Sequence, residues 1–240
     1  MIRKLQVEPH ITEIIRKLQD AGYQAYVVGG AIRDLLLSRK PKDYDISTSA
    51  TPEEVREVFG RKSARIIGKR FRLVHLRNGR EIIEISTFRR KPSNNGHHEN
   101  SDTLPDLMLM DDNEFGNAEE DAMRRDFTVN AIFFDPVNLQ VIDYTQQGVE
   151  DVQNGVIRAI GNPEIRFEED PVRMLRALKL LGQFSFMFEE ATEAALVKKM
   201  PLIEHTSNSR LSLELEKIMT SSYSGRILRA FYQYGFLRYY

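Results

Sequence analysis

The chain of 240 residues has no cysteine and no tryptophan. Without cysteine it can have no disulfide, no thiolate metal site and no cysteine nucleophile. Long hydrophobic runs are missing as well, since no stretch approaches the roughly 20 apolar residues that span a bilayer. The opening MIRKLQVEPH lacks the apolar core of a secretory signal. These absences point to a cytoplasmic protein with no membrane partner. Net charge is also scarce: 34 basic against 35 acidic residues leave −1, which argues against a generic polyanion binder. The total conceals two opposing blocks, however. Residues 61–91 hold 11 basic and 2 acidic residues, whereas 92–126 hold 10 acidic and 2 basic. A local basic surface therefore survives the near-zero sum.

What is present is ordinary for a globular protein, with 41% hydrophobic and 29% charged residues. The length suits one large domain or two small ones with a real core. No internal repeat is visible. Ile11, Ile14, Ile15 and Leu18 have helical spacing within 7–20. Tyr26-Val27-Val28 reads as a buried strand running through Gly29-Gly30 into a helix over Ala31–Leu37. Asp43–Ser47 reads as a strand, and Pro52–Phe59 as a helix capped by Thr51. Strands follow at Arg65–Ile67, Arg72–Leu76 and Ile82–Phe88, with Asn78-Gly79 as a hairpin turn between the last two. Residues 91–116 are rich in Pro, Ser, Asn and Gly and read as a long loop or lid. A short helix at Ala118–Met123 and strands at Ala131–Phe134 and Val141–Tyr144 come next. From Asn162 the pattern is helical, with breaks near Gly182, Pro201 and Ser221. The expected organisation is an α/β domain over 1–145 and, after a short connector, a helical domain within 146–240.

Five constellations can carry chemistry, and each also has a plain structural reading. Gly29-Gly30 at a strand-to-helix junction lets backbone approach a ligand, and the helix start offers free N–H groups to a phosphate. Arg33 and Asp34 follow in the first turn; the alternative is a tight turn with two surface charges. The Gly spacing does not match the dinucleotide fingerprint G-x-G-x-x-G. Asp43 and Asp45, two apart on a strand, project from one face, where they can share divalent cations such as Mg²⁺ or be a solvated edge. Glu84, set among isoleucines, is a candidate third carboxylate on an adjacent strand, or an outward residue of a half-exposed one. Arg124 and Arg125 can bind a triphosphate or ribose edge with Asp126 orienting them; Asp126 is equally a helix N-cap. Asp170, Arg173 and Arg176 share a broad helix face. A carboxylate and a guanidinium can together read the polar edge of a base, although Asp170-Pro171 is also what a helix start needs. His97-His98 reads as solvated, and Phe184, Phe186 and Phe188 read as core.

In this order the elements resemble the class II tRNA nucleotidyltransferase and bacterial poly(A) polymerase family, from about Tyr26 to Leu211. The resemblance rests on G-G-x-x-R-D at Gly29–Asp34, D-x-D at Asp43–Asp45, R-R-D at Arg124–Asp126 and E-D-x-x-R at Glu169–Arg173. It implies a nucleotidyltransferase head with a polymerase-β-like mixed sheet, an α/β (α+β) fold, followed by a helical neck and the start of an RNA-binding body. It implies two Mg²⁺ ions held by Asp43 and Asp45, with Glu84 as third carboxylate and Asp126 supporting the site. Gly29, Gly30, Arg33, Arg125, Asp170, Arg173 and Arg176 would contact the nucleotide, and the partners would be ATP and an RNA 3′ end.

Two activities occur in the family. One adds CCA to tRNA from CTP and ATP; the other adds poly(A) tails to RNA from ATP alone. Gly68–His75, His97–Glu99 and Asn113–Gly116 resemble the poly(A) branch, which implies a polynucleotide adenylyltransferase acting in RNA polyadenylation. CCA addition to tRNA is the alternative, and an inactive RNA-binding descendant is the alternative from another class. Lys179 stands where the family often has a further arginine and is left out of the site. Members usually continue well beyond this length. The resemblance therefore implies a truncated chain or a compact form, with a weaker grip on RNA or altered processivity.

Overall fold

Ile11, Ile14, Ile15 and Leu18 form the buried stripe of helix α1 (Pro9–Asp20) in the computed structural model, which describes residues 5–68, 72–91 and 114–239. The chain then forms β1 (Ala25–Val28), α2 (Gly30–Leu36), β2 (Asp45–Thr48), α3 (Pro52–Phe59), β3 (Ala64–Ile67), β4 (Leu73–Asn78) and β5 (Glu81–Thr87). After α4 (Ala118–Met123) come β6 (Phe133–Asp135), β7 (Gln140–Ile142), α5 (Gly148–Asn154) and β8 (Val156–Ile157). The remainder is α6 (Pro163–Glu169), α7 (Val172–Phe184), β9 (Met187–Phe188), α8 (Glu190–Lys199), α9 (Asn208–Met219) and α10 (Ser224–Gln233). Two compact units result. One comprises Met1–Arg125 and Val129–Val149, the other Asp126–Thr128 and Glu150–Tyr240. No helix among the described residues is long and apolar enough to cross a membrane.

The first unit is built on a mixed seven-stranded sheet in the order β3-β4-β5-β2-β1-β6-β7. Only the β2–β5 pair is parallel, and it sets Asp45 beside Glu84. β1 runs antiparallel to β2 with Val28 opposite Asp45, and β4 runs antiparallel to β5 with His75 opposite Glu84. Alternation along these strands gives the sheet two distinct faces. Val74, Leu76, Ile83 and Ile85 are buried on the face where α3 packs against β3 and β4. On the other face α4 covers β1 and β6, and Ala118 and Ala122 pack on Val28, Phe88 and Phe133. The Tyr26, Phe88 and Phe133 rings lie 6.0–6.4 Å apart there. Asp45 and Glu84 belong to this second face but are solvent-exposed.

Local chemistry accounts for several boundaries. Thr51 and Glu54 form a reciprocal capping box at the start of α3. The hairpin turn is displaced by one residue from the expected Asn78-Gly79: Asn78 pairs with Glu81, so Gly79 and Arg80 make the turn, and Gly79 supplies φ 63°. β2 begins at Asp45 rather than Asp43, although alternation extends back across Tyr44, which is buried between the two exposed aspartates.

In the second unit the expected break near Gly182 falls two residues later: α7 continues through the glycine to Phe184 and ends at Ser185. A Cβ at Gly182 would lie 2.7 Å from the Cα of Ile227 on α10. This glycine serves a close helix crossing rather than a helix end. The stretch expected to be connector contains α5 and β8, and β8 pairs in parallel with β9, so the unit is not helical throughout. Phe184 and Phe186 are buried with ring centroids 5.4 Å apart, as expected for core side chains.

Candidate active site

In the first unit the glycine turn and the acids meet through strand pairing. Val28, the last residue of β1, pairs with Asp45, so the turn at Gly29 leaves the sheet beside that carboxylate. Gly29 has φ 75° and ψ −138°, a conformation that suits glycine. Its missing side chain also leaves room for Arg125: a Cβ there would sit 3.3 Å from Arg125 Nη1. At Gly30 an added Cβ would meet Arg33 Nη2 at 3.2 Å. Arg33 itself is buried. It donates to Asp34 Oδ1 from Nε at 3.0 Å and from Nη2 at 2.8 Å, and to Asn130 Oδ1 from Nη1 at 2.6 Å. These contacts brace the turn at Gly29-Gly30.

Arg125 lies across the same corner. Nη2 donates to Asp121 Oδ2 at 2.9 Å and to Ser47 Oγ at 3.2 Å, Nη1 reaches the Asn130 carbonyl at 3.4 Å, and Cζ stands 5.2 Å from the Phe133 ring centroid. Arg124 Nε donates to Asp121 Oδ1 at 3.1 Å. The buried acid that orients both arginines is therefore Asp121, three and four residues earlier on α4. Burial pushes its carboxyl up, but the Arg125 and Arg124 guanidiniums outweigh that and hold it below the usual range. Ser47, Asp121 and Asn130 belong to none of the sequence motifs. For Asp121 the helical spacing to the arginine pair was an available signal.

Asp43 and Asp45 are exposed, and the parallel register sets Glu84 next to Asp45. Glu84 leans the other way as well, with Oε1 3.5 Å from His75 Nε2. Among the described residues no three acidic or histidine side chains converge into a ready-made metal cage. The donor chemistry nevertheless suits a hard cation. Mg²⁺ commonly takes one or two carboxylates and completes its shell with water and substrate phosphates, and exposed carboxylates two apart meet that need.

The second unit gathers the remaining candidates. Asp126 Oδ1 accepts from Phe127 N–H at 2.8 Å, and Oδ2 lies 3.9 Å from Arg176 Nη1. Arg176 Nε donates to Glu214 Oε1 at 3.4 Å. Burial lowers the Arg176 pKa, but Asp126 and Glu214 reverse the effect and raise it. Asp170 ends α6, yet Oδ1 accepts from Val172 N–H at 3.1 Å at the start of α7, while Oδ2 accepts from Arg210 Nη2 at 2.9 Å. Arg173 Nη1 donates to the Arg166 carbonyl at 2.9 Å and to Glu169 Oε2 at 3.1 Å. Asp170, Arg173 and Arg176 are thus neighbours that turn to different partners. Arg166, Arg210 and Glu214 complete this group; the last two are remote in sequence and gave no local signal. His97 and His98 lie outside the described residues, as does Asn113.

Residues 25–158 match the family described as "Poly A polymerase head domain", more than half of the chain. The chain belongs to the poly(A) polymerase head-domain family. Residues 185–240 match a second description, "Probable RNA and SrmB- binding site of polymerase A". Poly(A) polymerase I of Haemophilus influenzae is 40% identical over 222 residues, covering 92% of this chain and 49% of its own length. The CCA-adding enzyme of Lactobacillus helveticus is 39% identical over 218 residues, covering 91% and 51%. The crystal structure of the Bacillus stearothermophilus CCA-adding enzyme in complex with CTP aligns with a TM-score of 0.78 at 34% identity, covering 96% of this chain and 53% of that one. The chain thus spans about half the length of the curated relatives it matches. The mixed sheet is that of the head-domain family, and the D-x-D pair lies at the start of β2, with Asp45 opposite the last residue of β1.

Proposed function

We propose that the protein is an RNA 3′-end nucleotidyltransferase that transfers AMP from ATP, a template-independent poly(A) polymerase. The observation that carries this reading is the pairing of Val28 with Asp45 and of Asp45 with Glu84. It sets a glycine turn, an arginine corner and exposed carboxylates along one row of the sheet. In the reaction the RNA 3′-oxygen forms a bond to the α-phosphorus of ATP, the bond to the β-phosphate oxygen breaks, and pyrophosphate leaves. Asp43, Asp45 and Glu84 would hold Mg²⁺, which lowers the pKa of the attacking hydroxyl and stabilises the leaving oxygen. Gly29 and Gly30 let the phosphates approach the backbone, Arg33 sets the turn, and Arg125 presents positive charge beside it. Asp126 fixes Arg176. Asp170 and Arg173 read the adenine edge. Among the described residues Asp170 keeps unused lone pairs and Arg173 makes its side-chain contacts through Nη1, which leaves other donors for a base. The crowding of Arg166 and Arg173 favours an acceptor-rich ligand; burial and the Arg173 charge together lower the Arg166 pKa.

Relatives named as poly(A) polymerases and as CCA-adding enzymes are both similar to this chain, so the second reading is CCA addition to tRNA. The choice of ATP alone is supported by the segment Gly68–His75, of which 69–71 lie outside the described residues. The test is incubation with Mg²⁺ and an oligo(A) primer or a tRNA lacking CCA, with ATP alone or with CTP plus ATP. Long homopolymer tails are expected. Addition that stops at CCA would replace the first reading by the second. Asp45→Ala is expected to lower AMP incorporation by about a thousandfold or more while ATP binding survives in part. Normal incorporation by that variant would remove Asp45 from the metal site.

A further inference from the structure

The row that holds Asp45 and Glu84 continues outward across the sheet. Glu84 on β5 pairs with His75 on β4, and His75 pairs with Arg65 on β3. Two residues along β4 from His75 is Arg77, which points the same way. The opposite parity faces the helices: Glu81 is 2.9 Å from His10 of α1, and Arg72 pairs with Glu53 of α3. Arg65 and Arg77 therefore stand on the carboxylate face, and both are exposed. Arg77 Nε donates to the Gly79 carbonyl at 3.3 Å, and neither arginine is matched by a carboxylate among the described residues. The face thus passes from acidic at β2 and β5 to basic at β4 and β3. At about 4.8 Å per strand, Arg65 lies roughly 14 Å from Asp45 along the sheet, which is beyond the reach of a reacting phosphate.

We propose that Arg65 and Arg77 form a strip on the outer sheet face that binds the phosphate backbone of single-stranded RNA upstream of its 3′ end. This deepens the proposed reaction and rests on it for the direction of the strand. Acids near the 3′ end repel the backbone unless cations intervene, whereas arginines without acidic partners attract it. The strip belongs to the first unit and is not part of the 185–240 segment that matches the RNA-binding description.

The test uses the full chain and a 5′-labelled oligo(A), with neither ATP nor Mg²⁺, and reads fluorescence anisotropy across a salt series. R65Q/R77Q, shown to be folded by its thermal melt, is expected to bind at least about tenfold more weakly. Its slope of log affinity against log salt should fall by roughly 1.4, the share of two phosphate contacts on a single strand. R65K/R77K should retain most of the slope. Unchanged affinity and slope in the folded glutamine variant would overturn the strip, whatever reaction the enzyme performs. If the wild type extends no 3′ end yet R65Q/R77Q shows the predicted loss of binding, the strip stands and the reading of the reaction falls.

Discussion

Asp121 shows how a single buried residue can order two arginines. Its side chain is 3% exposed and receives hydrogen bonds from both Arg124 and Arg125. Removing one partner of such a buried group strands the other charges. Asp121→Asn is expected to destabilise the protein by about 3–5 kcal/mol at neutral pH, measured by urea denaturation. The pH dependence has a definite sign. The folded carboxyl titrates below its unfolded value of roughly 3.9, so its stabilisation is complete above that value and disappears as pH falls through the lower folded pKa. The gap between wild type and variant should therefore be widest above pH ~5 and close in acid. A gap that widens on acidification would show that Asp121 is protonated in the native state.

At the scale of elements, Gly182 sets two effects against each other. Alanine in place of a mid-helix glycine gains up to about 1 kcal/mol from helix propensity. Here, however, the new Cβ would lie 2.7 Å from both the N and Cα of Ile227, and backbone cannot swing aside as a flexible side chain can. Overpacking of this kind costs about 1–3 kcal/mol, so Gly182→Ala is expected to lower the melting temperature; a rise would mean that α10 yields easily. The same residue marks where sequence reading succeeds and fails. Periodicity and caps placed α1, α3 and the strands β1 to β5 within a few residues, because burial on one face repeats at short range. A glycine inside a helix looks the same whether it ends the helix or admits a neighbour 45 residues away. Motif acids and arginines could likewise be found, but not their actual partners. Asp121, Asn130, Arg210 and Glu214 are chosen by the fold, and only Asp121 leaves a trace in local spacing.

Over the whole molecule, the sequence suggested a single cut near residue 145, whereas the chain enters the second unit twice. Phe127 is fully buried and bridges Ala159, Thr128 N–H donates to the Arg158 carbonyl, and Thr128 Oγ1 donates to Asp151 at 2.6 Å. Three residues lying between an arginine pair and a strand carry no sign of belonging elsewhere. A fragment beginning at Gln146 would leave the Phe127 niche empty, at a cost comparable to the roughly 3–5 kcal/mol of a buried phenylalanine deletion. It is expected to melt without a sharp transition by circular dichroism, unlike the full chain. A cooperative melt from the fragment would show that the insertion is dispensable.

This threading also restricts how the protein can be recombined. A unit entered once can be exchanged between relatives at one junction. Here a graft of residues 150–240 from another family member would meet a Phe127 and Thr128 selected for a different host. Such chimeras require a matched second crossover around 126–128, so these three residues should be inherited with the second unit rather than with the sheet that surrounds them in sequence.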